Sequence, residues 1–199
     1  MTAPDLPSPL IRPATEGDLA AVAAIYSHYV DHTVVTFDET PPPLAFWRSR
    51  LDDLAARGLP FLVAEEAGRI AGYAYAAPWR PKPAYRHSVE NSVYLAPERT
   101  GRGLGASLME ALLDGCSRAG VRQVVAVIAD SGTAASVALH RRLGFTDAGR
   151  LTAVGHKHGR WLDTILLQRT LTADEGQEDE EPAAGGPGDE ASAGEASAH

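Results

Sequence analysis

Hydrophobic positions along the chain switch between a helical period and a strand period. Leu19, Val22, Tyr26, Tyr29 and Val30 recur at spacings of three and four, which predicts an amphipathic helix, with Thr15 followed by Asp18 as its cap. The prolines at 41–43 open a second helix carrying Phe46, Trp47, Leu51 and Leu54, closed near Gly58-Leu59-Pro60. The period then drops to two. Phe61–Glu66 and residues 69–79 flank an Ala67-Gly68 turn as a hairpin, and Ser88–Leu95 reads as a further strand. A glycine loop at 101–105 enters a helix at 106–119. Residues 121–129 form a buried strand, and 133–143 a helix stopped at Gly144. Residues 146–154 and 161–168 are two last strands around a glycine turn. With a short strand at 10–13, the order is β-α-α-β-β-β-α-β-α-β-β, a mixed α/β sheet.

A length of 199 residues corresponds to one domain with appendages. The net charge of -8 is unevenly placed: nine of the 26 acidic residues lie in 172–199, which has no Lys or Arg, leaving 17 acids against 18 bases in 1–171. A near-neutral folded part gives no general argument for nucleic-acid binding. The tail 172–199 has no aromatic or branched aliphatic residue and is expected to be disordered; 1–9, with three prolines, is expected to be a flexible leader, and 10–171 the folded domain. One cysteine, Cys116, excludes a disulfide framework. No apolar run approaches the ~20 residues of a membrane span, and the N-terminus lacks a secretory pattern, so a cytoplasmic protein is expected. His28 and His32 stand at i, i+4, but without the glutamate of a zinc-protease motif they read as surface residues, and no metal site is expected.

The most informative stretch is Arg99-Thr100-Gly101-Arg102-Gly103-Leu104-Gly105-Ala106. Three alternate glycines leave backbone N–H groups unshielded, and the helix that follows aims its own free N–H groups at the same spot. Such a loop suits phosphate. A dinucleotide fingerprint fits poorly, because residues 96–100 separate the strand from the first glycine; a P-loop fails for want of a lysine in Gly105-Ala106-Ser107.

A strand, this loop and a helix together resemble the acetyl-CoA pyrophosphate loop of the GCN5-related N-acetyltransferases. More narrowly, the chain is similar to the phosphinothricin and methionine-sulfoximine N-acetyltransferase branch. The resemblance runs from about residue 11 to 171. It is carried by Gly72-Tyr73-Ala74, Pro78-Trp79, the run from Tyr85 to Leu95 (YRHSVENSVYL), Leu139-His140, Leu143-Gly144-Phe145 and the run from Gly155 to Asp163 (GHKHGRWLD). It implies a mixed, mostly antiparallel sheet splayed at its middle with helices on both faces, acetyl-CoA as co-substrate, a small amino-acid-like amine as acceptor, and a homodimer. By the same resemblance the loop residues Gly101, Arg102, Gly103, Leu104, Gly105 and Ala106 hold the pyrophosphate, and the backbone of Val93, Tyr94 and Leu95 pairs with pantetheine. Two departures stand out. Thr100 occupies the place of the family's Gln or Arg, leaving Arg99 and Arg102 to supply charge at the rim. Asp130-Ser131-Gly132-Thr133 replaces a loop that often carries Asn.

Acetyl transfer to an amine needs a base, a polarised carbonyl and a proton for the departing thiolate. Unbroken alternation puts Ser88, Glu90, Ser92 and Tyr94 on one strand face, with Glu90 the lone carboxylate. The resemblance makes Glu90 the general base, directly or through water. It links His140 to the active site as a proton relay, although a structural histidine reads nearly as well. Tyr94 is a candidate proton donor to the thiolate. At the substrate end, Arg80, Lys82, Arg86 and His87 surround Tyr85 in a proline-braced loop suited to anions. The resemblance implies Phe37, Lys82 and Tyr85 as substrate contacts, and Arg86 is expected beside them. Cys116 is not required for direct transfer. Acetylation of a protein or peptide amine, a non-catalytic acyl-CoA sensor and a nucleotide-binding protein remain open on sequence alone.

Overall fold

The computed structural model describes residues 9–132 and 134–171, so the expected leader, apart from Pro9, and the whole acidic tail lie outside the described residues. Seven strands and four helices appear in the anticipated order: β1 (Leu10–Pro13), α1 (Leu19–His32), α2 (Leu44–Ala56), β2 (Phe61–Glu66), β3 (Arg69–Pro78), β4 (Ser88–Leu95), α3 (Leu104–Arg118), β5 (Gln123–Ala129), α4 (Ala135–Arg142), β6 (Thr146–Lys157) and β7 (Arg160–Thr170). They form one sheet in the order β1-β2-β3-β4-β5-β7-β6, antiparallel throughout except where β4 meets β5.

Side-chain alternation divides the core into two layers. Phe61, Val63 and Tyr73 face Leu19, Val22 and Ile25 of α1 and Trp47 and Leu54 of α2. Their neighbours Leu62, Ala64, Ala74, Val93 and Leu95 face α3, whose buried stripe is Leu104, Leu108, Met109, Leu112, Leu113 and Cys116. Burying one leucine of that stripe contributes about 1.5–3 kcal/mol. Small residues on β3 let α3 approach closely. A Cβ at Gly72 would lie 3.3 Å from Leu108 Cδ1 of α3, and 2.9 Å from the Tyr94 carbonyl oxygen of β4.

Thr15 and Asp18 cap a single 3-10 turn that precedes α1, and Asp18 is also held by Arg12 through two bonds of 2.8 Å. Element ends shift by a few residues. Helix α3 starts at Leu104, two positions before Ala106, because Gly103 at φ 83° caps it and Leu104 buries beneath it. Strand β6 runs on through Gly155 to Lys157; the hairpin turn is His158-Gly159, both at positive φ, which matches the twist of the flanking strands.

Candidate active site

Strands β4 and β5 pair only from Ser88 to Glu90 against Gln123 to Val125, and then part. Beyond that point β4 stays bonded to β3, and β5 to β7. Residues 91–95 therefore present one backbone edge to a wedge inside the sheet, the place where a parallel partner is missing. Val93, Tyr94 and Leu95 lie on that edge. The Leu95 carbonyl already accepts a hydrogen bond of 2.7 Å from the Tyr29 hydroxyl.

The glycine loop lies beyond the end of β4. Gly101 and Gly103 sit at φ 75° and 83°, a region that costs side-chain-bearing residues ~1–2 kcal/mol. Among the described residues the amides of Gly101, Arg102, Gly103, Leu104 and Gly105 donate to no backbone carbonyl; the first bonded amide is Ala106, to Gly103 O at 2.9 Å. Such an array of free amides at a helix N-terminus suits an anion. Thr100 does not join it: its hydroxyl donates to the Pro97 carbonyl at 3.1 Å. Arg99 is drawn aside to Glu66 at 3.0 Å, so the rim charge falls to exposed Arg102.

Glu90 sits half-buried at the crotch of the wedge, opposite Ala77 of β3 and Val125 of β5, on the sheet face covered by α1 and α2. Burial raises its pKa above the usual carboxylate range, and the positive charges of Arg80 and Arg50 pull the other way. Further along the same face Tyr94 packs among Tyr26, Tyr29 and Tyr73, with ring centroids 5.1, 5.3 and 5.6 Å away. Burial holds its phenol well above the ordinary value.

His140 does not share this face. It lies on α4, 2% exposed, against the Phe145 ring at 4.9 Å. Its Nε2 is 2.9 Å from Asn91 Nδ2 and its Nδ1 2.8 Å from the Ser136 carbonyl. Asn91 is on the α3 side of β4, so the residue next to Glu90 in sequence points to the opposite side of the sheet.

The expected substrate contacts divide in two. Lys82, Tyr85 and Arg86 line a recess of about 530 Å³ with Arg57, Arg80, Trp79 and Ser88; no acidic side chain lines it, and Glu90 is not part of its wall. Phe37 lies elsewhere, its ring stacked on Gly155 of β6, where Lys157 Nζ donates to the Thr36 carbonyl at 3.0 Å. Sequence reasoning did not identify Arg50, Asn91 or Tyr29. Arg50 carried a signal: it is three and four residues past Trp47 and Phe46, at the border of the buried stripe of α2. Cys116 is buried and its thiol is pushed up to about 12, which leaves no thiolate nucleophile near neutral pH. Among the described residues no three His, Cys, Asp or Glu side chains are placed to hold a metal ion, and no helix is long and apolar enough to cross a membrane.

A wedge with a free strand edge and an amide cradle at its end fits a long thioester carrier bearing a pyrophosphate. A model of the acetyltransferase (GNAT) domain matches residues 11–166. The chain belongs to the GNAT acetyltransferase family. It is 45% identical over 163 residues to the phosphinothricin N-acetyltransferase of Alcaligenes faecalis, covering 82% of this chain and 83% of that protein. It is 43% identical over 162 residues to an L-methionine sulfoximine/L-methionine sulfone acetyltransferase of Pseudomonas aeruginosa, covering 81% and 94%. Among solved structures, a phosphinothricin acetyltransferase of Sinorhizobium meliloti in complex with acetyl-CoA superposes with a TM-score of 0.81 at 41% identity, covering 87% of this chain and 94% of that one. The chain is thus an N-acetyltransferase that uses acetyl-CoA. The mixed, mostly antiparallel sheet with helices on both faces is the fold that the resemblance implied.

Proposed function

We propose that the protein transfers an acetyl group from acetyl-CoA to the α-amine of a small amino-acid-like acceptor of the phosphinothricin, methionine sulfoximine or methionine sulfone type. The observation that carries the reading is the position of Glu90, a half-buried carboxylate where β4 and β5 part, flanked by the charges of Arg50 and Arg80. Acetyl-CoA supplies the reactive thioester. The edge of β4 at Val93, Tyr94 and Leu95 would hold pantetheine, and Gly101, Arg102, Gly103, Leu104, Gly105 and Ala106 the pyrophosphate. Glu90 takes a proton from the acceptor ammonium, directly or through one water. An ordinary carboxylate is a weak base for an amine; burial narrows the gap by raising its pKa. Tyr94 stays protonated through the neutral range and can donate a hydrogen bond to the departing sulfur. His140 acts from the far face of the sheet by holding Asn91. The cations of the recess, Lys82 and Arg86, with Tyr85, attract and orient the anionic acceptor. Phe37, apart from them against Gly155, is kept as a second acceptor contact on the resemblance alone.

The protein is further proposed to work in the cytoplasm, where acetyl-CoA is available, as a homodimer. Leu151, Val154 and Trp161 on the β6–β7 hairpin are 48%, 50% and 70% exposed, which supports a second copy covering that edge. Light scattering reads the mass directly, and a monomer at micromolar concentration would rule the dimer out.

The deciding experiment follows thiol release from acetyl-CoA with phosphinothricin, methionine sulfoximine, methionine sulfone, the common amino acids and short peptides. Turnover of a sulfoximine, sulfone or phosphinate, reduced about 10²–10⁴-fold in Glu90→Gln while acetyl-CoA still binds, is the expected result. Preference for peptides, or acetyl-CoA binding without turnover of any acceptor, would overturn the substrate assignment.

A further inference from the structure

Helix α2 carries three arginines within or capping its span, and two of them are neutralised: Arg48 by Glu16 at 3.0 Å and Arg57 by Asp53 at 2.9 Å. Arg50 differs. Among the described residues no carboxylate comes within 4.0 Å of its guanidinium. It is half-buried, with its guanidinium carbon 5.2 Å from the Phe46 ring centroid and 5.3 Å from that of Tyr75. Two rings fix a cation in place without neutralising it. Burying a cation without an ion partner is costly, and the position is understandable if the partner arrives from solution.

The direction in which Arg50 points defines that partner. Tyr75 pairs with Ser92 in the β3–β4 register, and Glu90 pairs with Ala77, so the ring under Arg50 is a near neighbour of Glu90 on the same sheet face. The charge of Arg50 acts on the Glu90 carboxyl. A small molecule with its amine at Glu90 and an anionic group one carbon away would set that group beside Arg50. An α-amino acid has this arrangement. Arginine also matches a carboxylate with two parallel N–H bonds, which a lysine does not.

Resting on the acetyl-transfer reading above, we propose that Arg50 binds the α-carboxylate of the acceptor and selects α-amino acids over amines that lack it. The recess cations Arg80 and Lys82 are then left for the polar head of the acceptor side chain. Selection arises because the carboxylate is paired only when the amine is at the base.

The test compares L-methionine sulfone with its α-carboxamide as acceptors, in wild type, Arg50→Gln and Arg50→Lys, by thiol release. Isothermal titration measures L-methionine sulfone binding to each protein in parallel. The ratio of kcat/KM for the acid to that for the carboxamide is expected to fall roughly 10- to 100-fold in Arg50→Gln, mainly through KM of the acid. Arg50→Lys should restore part of it, and KM for acetyl-CoA should not move. Equal losses on acid and carboxamide would make Arg50 a packing residue and overturn the proposal; so would an unchanged ratio. A wild type that acetylates the carboxamide as well as the acid keeps the acetyl-transfer reading and removes the role of Arg50. If wild type turns over neither, nor any acceptor of the panel above, the acetyl-transfer reading fails. Titration then decides: acid binding weakened by Arg50→Gln retains the Arg50 contact, and no binding sinks it too.

Discussion

Asn91 donates its side-chain amide to Nε2 of His140 across 2.9 Å, on the opposite side of the sheet from Glu90. The partner of Nδ1 is the Ser136 carbonyl, which can only accept, so Nδ1 carries the proton and Nε2 offers its lone pair to Asn91. The imidazole is thereby held neutral, and burial lowers its pKa below the usual value. Protonation would set two donors against each other unless the Asn91 amide turned to present Oδ1, an atom with no hydrogen-bond partner in the structure. Because the unfolded chain binds this proton more readily, stability is present above about pH 6.5 and is lost as pH falls from there through the lower folded pKa. Denaturant titrations from pH 8 to 5 should show that loss, and His140→Gln should flatten it. Asn91→Leu should cost about 1–3 kcal/mol at pH 8, since the buried Nε2 loses its donor. A flat wild-type profile would mean that the histidine is not held neutral.

The carboxyl of Glu90 has the opposite sign. Its folded pKa lies above the unfolded value, so the charged form is disfavoured in the fold and stability declines as pH rises through the folded pKa. Glu90→Gln should therefore be at least as stable as wild type at pH 7 by thermal melting. The acid limb of kcat/KM should fall above the ordinary glutamate value of about 4.3. Arg50→Gln should move that limb further up, because one of the two charges that lower it is gone. A limb at or below 4.3 would argue against Glu90 as the titrating base.

What the sequence made legible was local. The period-two runs of β2, β3 and β4 and the glycines at 101, 103 and 105 announce themselves within a few residues, because alternation and positive φ are local constraints. Glu90, Ser92 and Tyr94 follow from the alternation of one strand. The substrate side was harder. Phe37 meets Gly155 across more than a hundred residues, and Lys157 reaches the Thr36 carbonyl over 121; neither contact has any local signature. His140 was placed near the chemistry by resemblance, whereas the strand pleat sets its partner Asn91 on the far face from Glu90. Arg99 stands beside the loop in sequence, but its partner Glu66 lies on a distant strand and has no local signature.

Two glycines of the loop should respond differently to alanine. Gly103 sits at φ 83°, so Gly103→Ala carries a backbone strain of about 1–2 kcal/mol and should both lower the melting temperature and raise KM for acetyl-CoA. Gly105 has an ordinary helical conformation, and an added Cβ would meet Leu139 Cδ2 at 3.5 Å and Leu95 Cδ1 at 3.6 Å, normal contact distances. Gly105→Ala should leave stability within about 0.5 kcal/mol or improve it, alanine being the better helix former. Any rise in its KM for acetyl-CoA then reports crowding of the amide cradle alone. Thermal melts and acetyl-CoA titrations on the two variants separate strain from crowding, and equal behaviour would contradict the conformational argument.

The contact between Phe37 and Gly155 should behave as a lock between the α1–α2 loop and strand β6. A Cβ added at Gly155 would lie 2.3 Å from Phe37 Cε2 and 2.6 Å from Cζ, closer than any tolerated contact. Gly155 is not at positive φ, so the clash with the ring is the direct cost of Gly155→Ala, about 1–3 kcal/mol by overpacking. Phe37→Ala removes the ring, which is 40% exposed, and should cost less than a fully buried aromatic. In the double variant the added methyl has room, so its penalty should largely vanish and the two effects should couple by at least about 1 kcal/mol. Denaturant unfolding of the four proteins measures that coupling, and strict additivity would show that the ring does not rest on Gly155. The same four proteins assayed for KM of the amino-acid acceptor tell whether the ring also serves the substrate. If it does, both single variants raise KM, and the double variant stays as high as Phe37→Ala although its fold has been relieved.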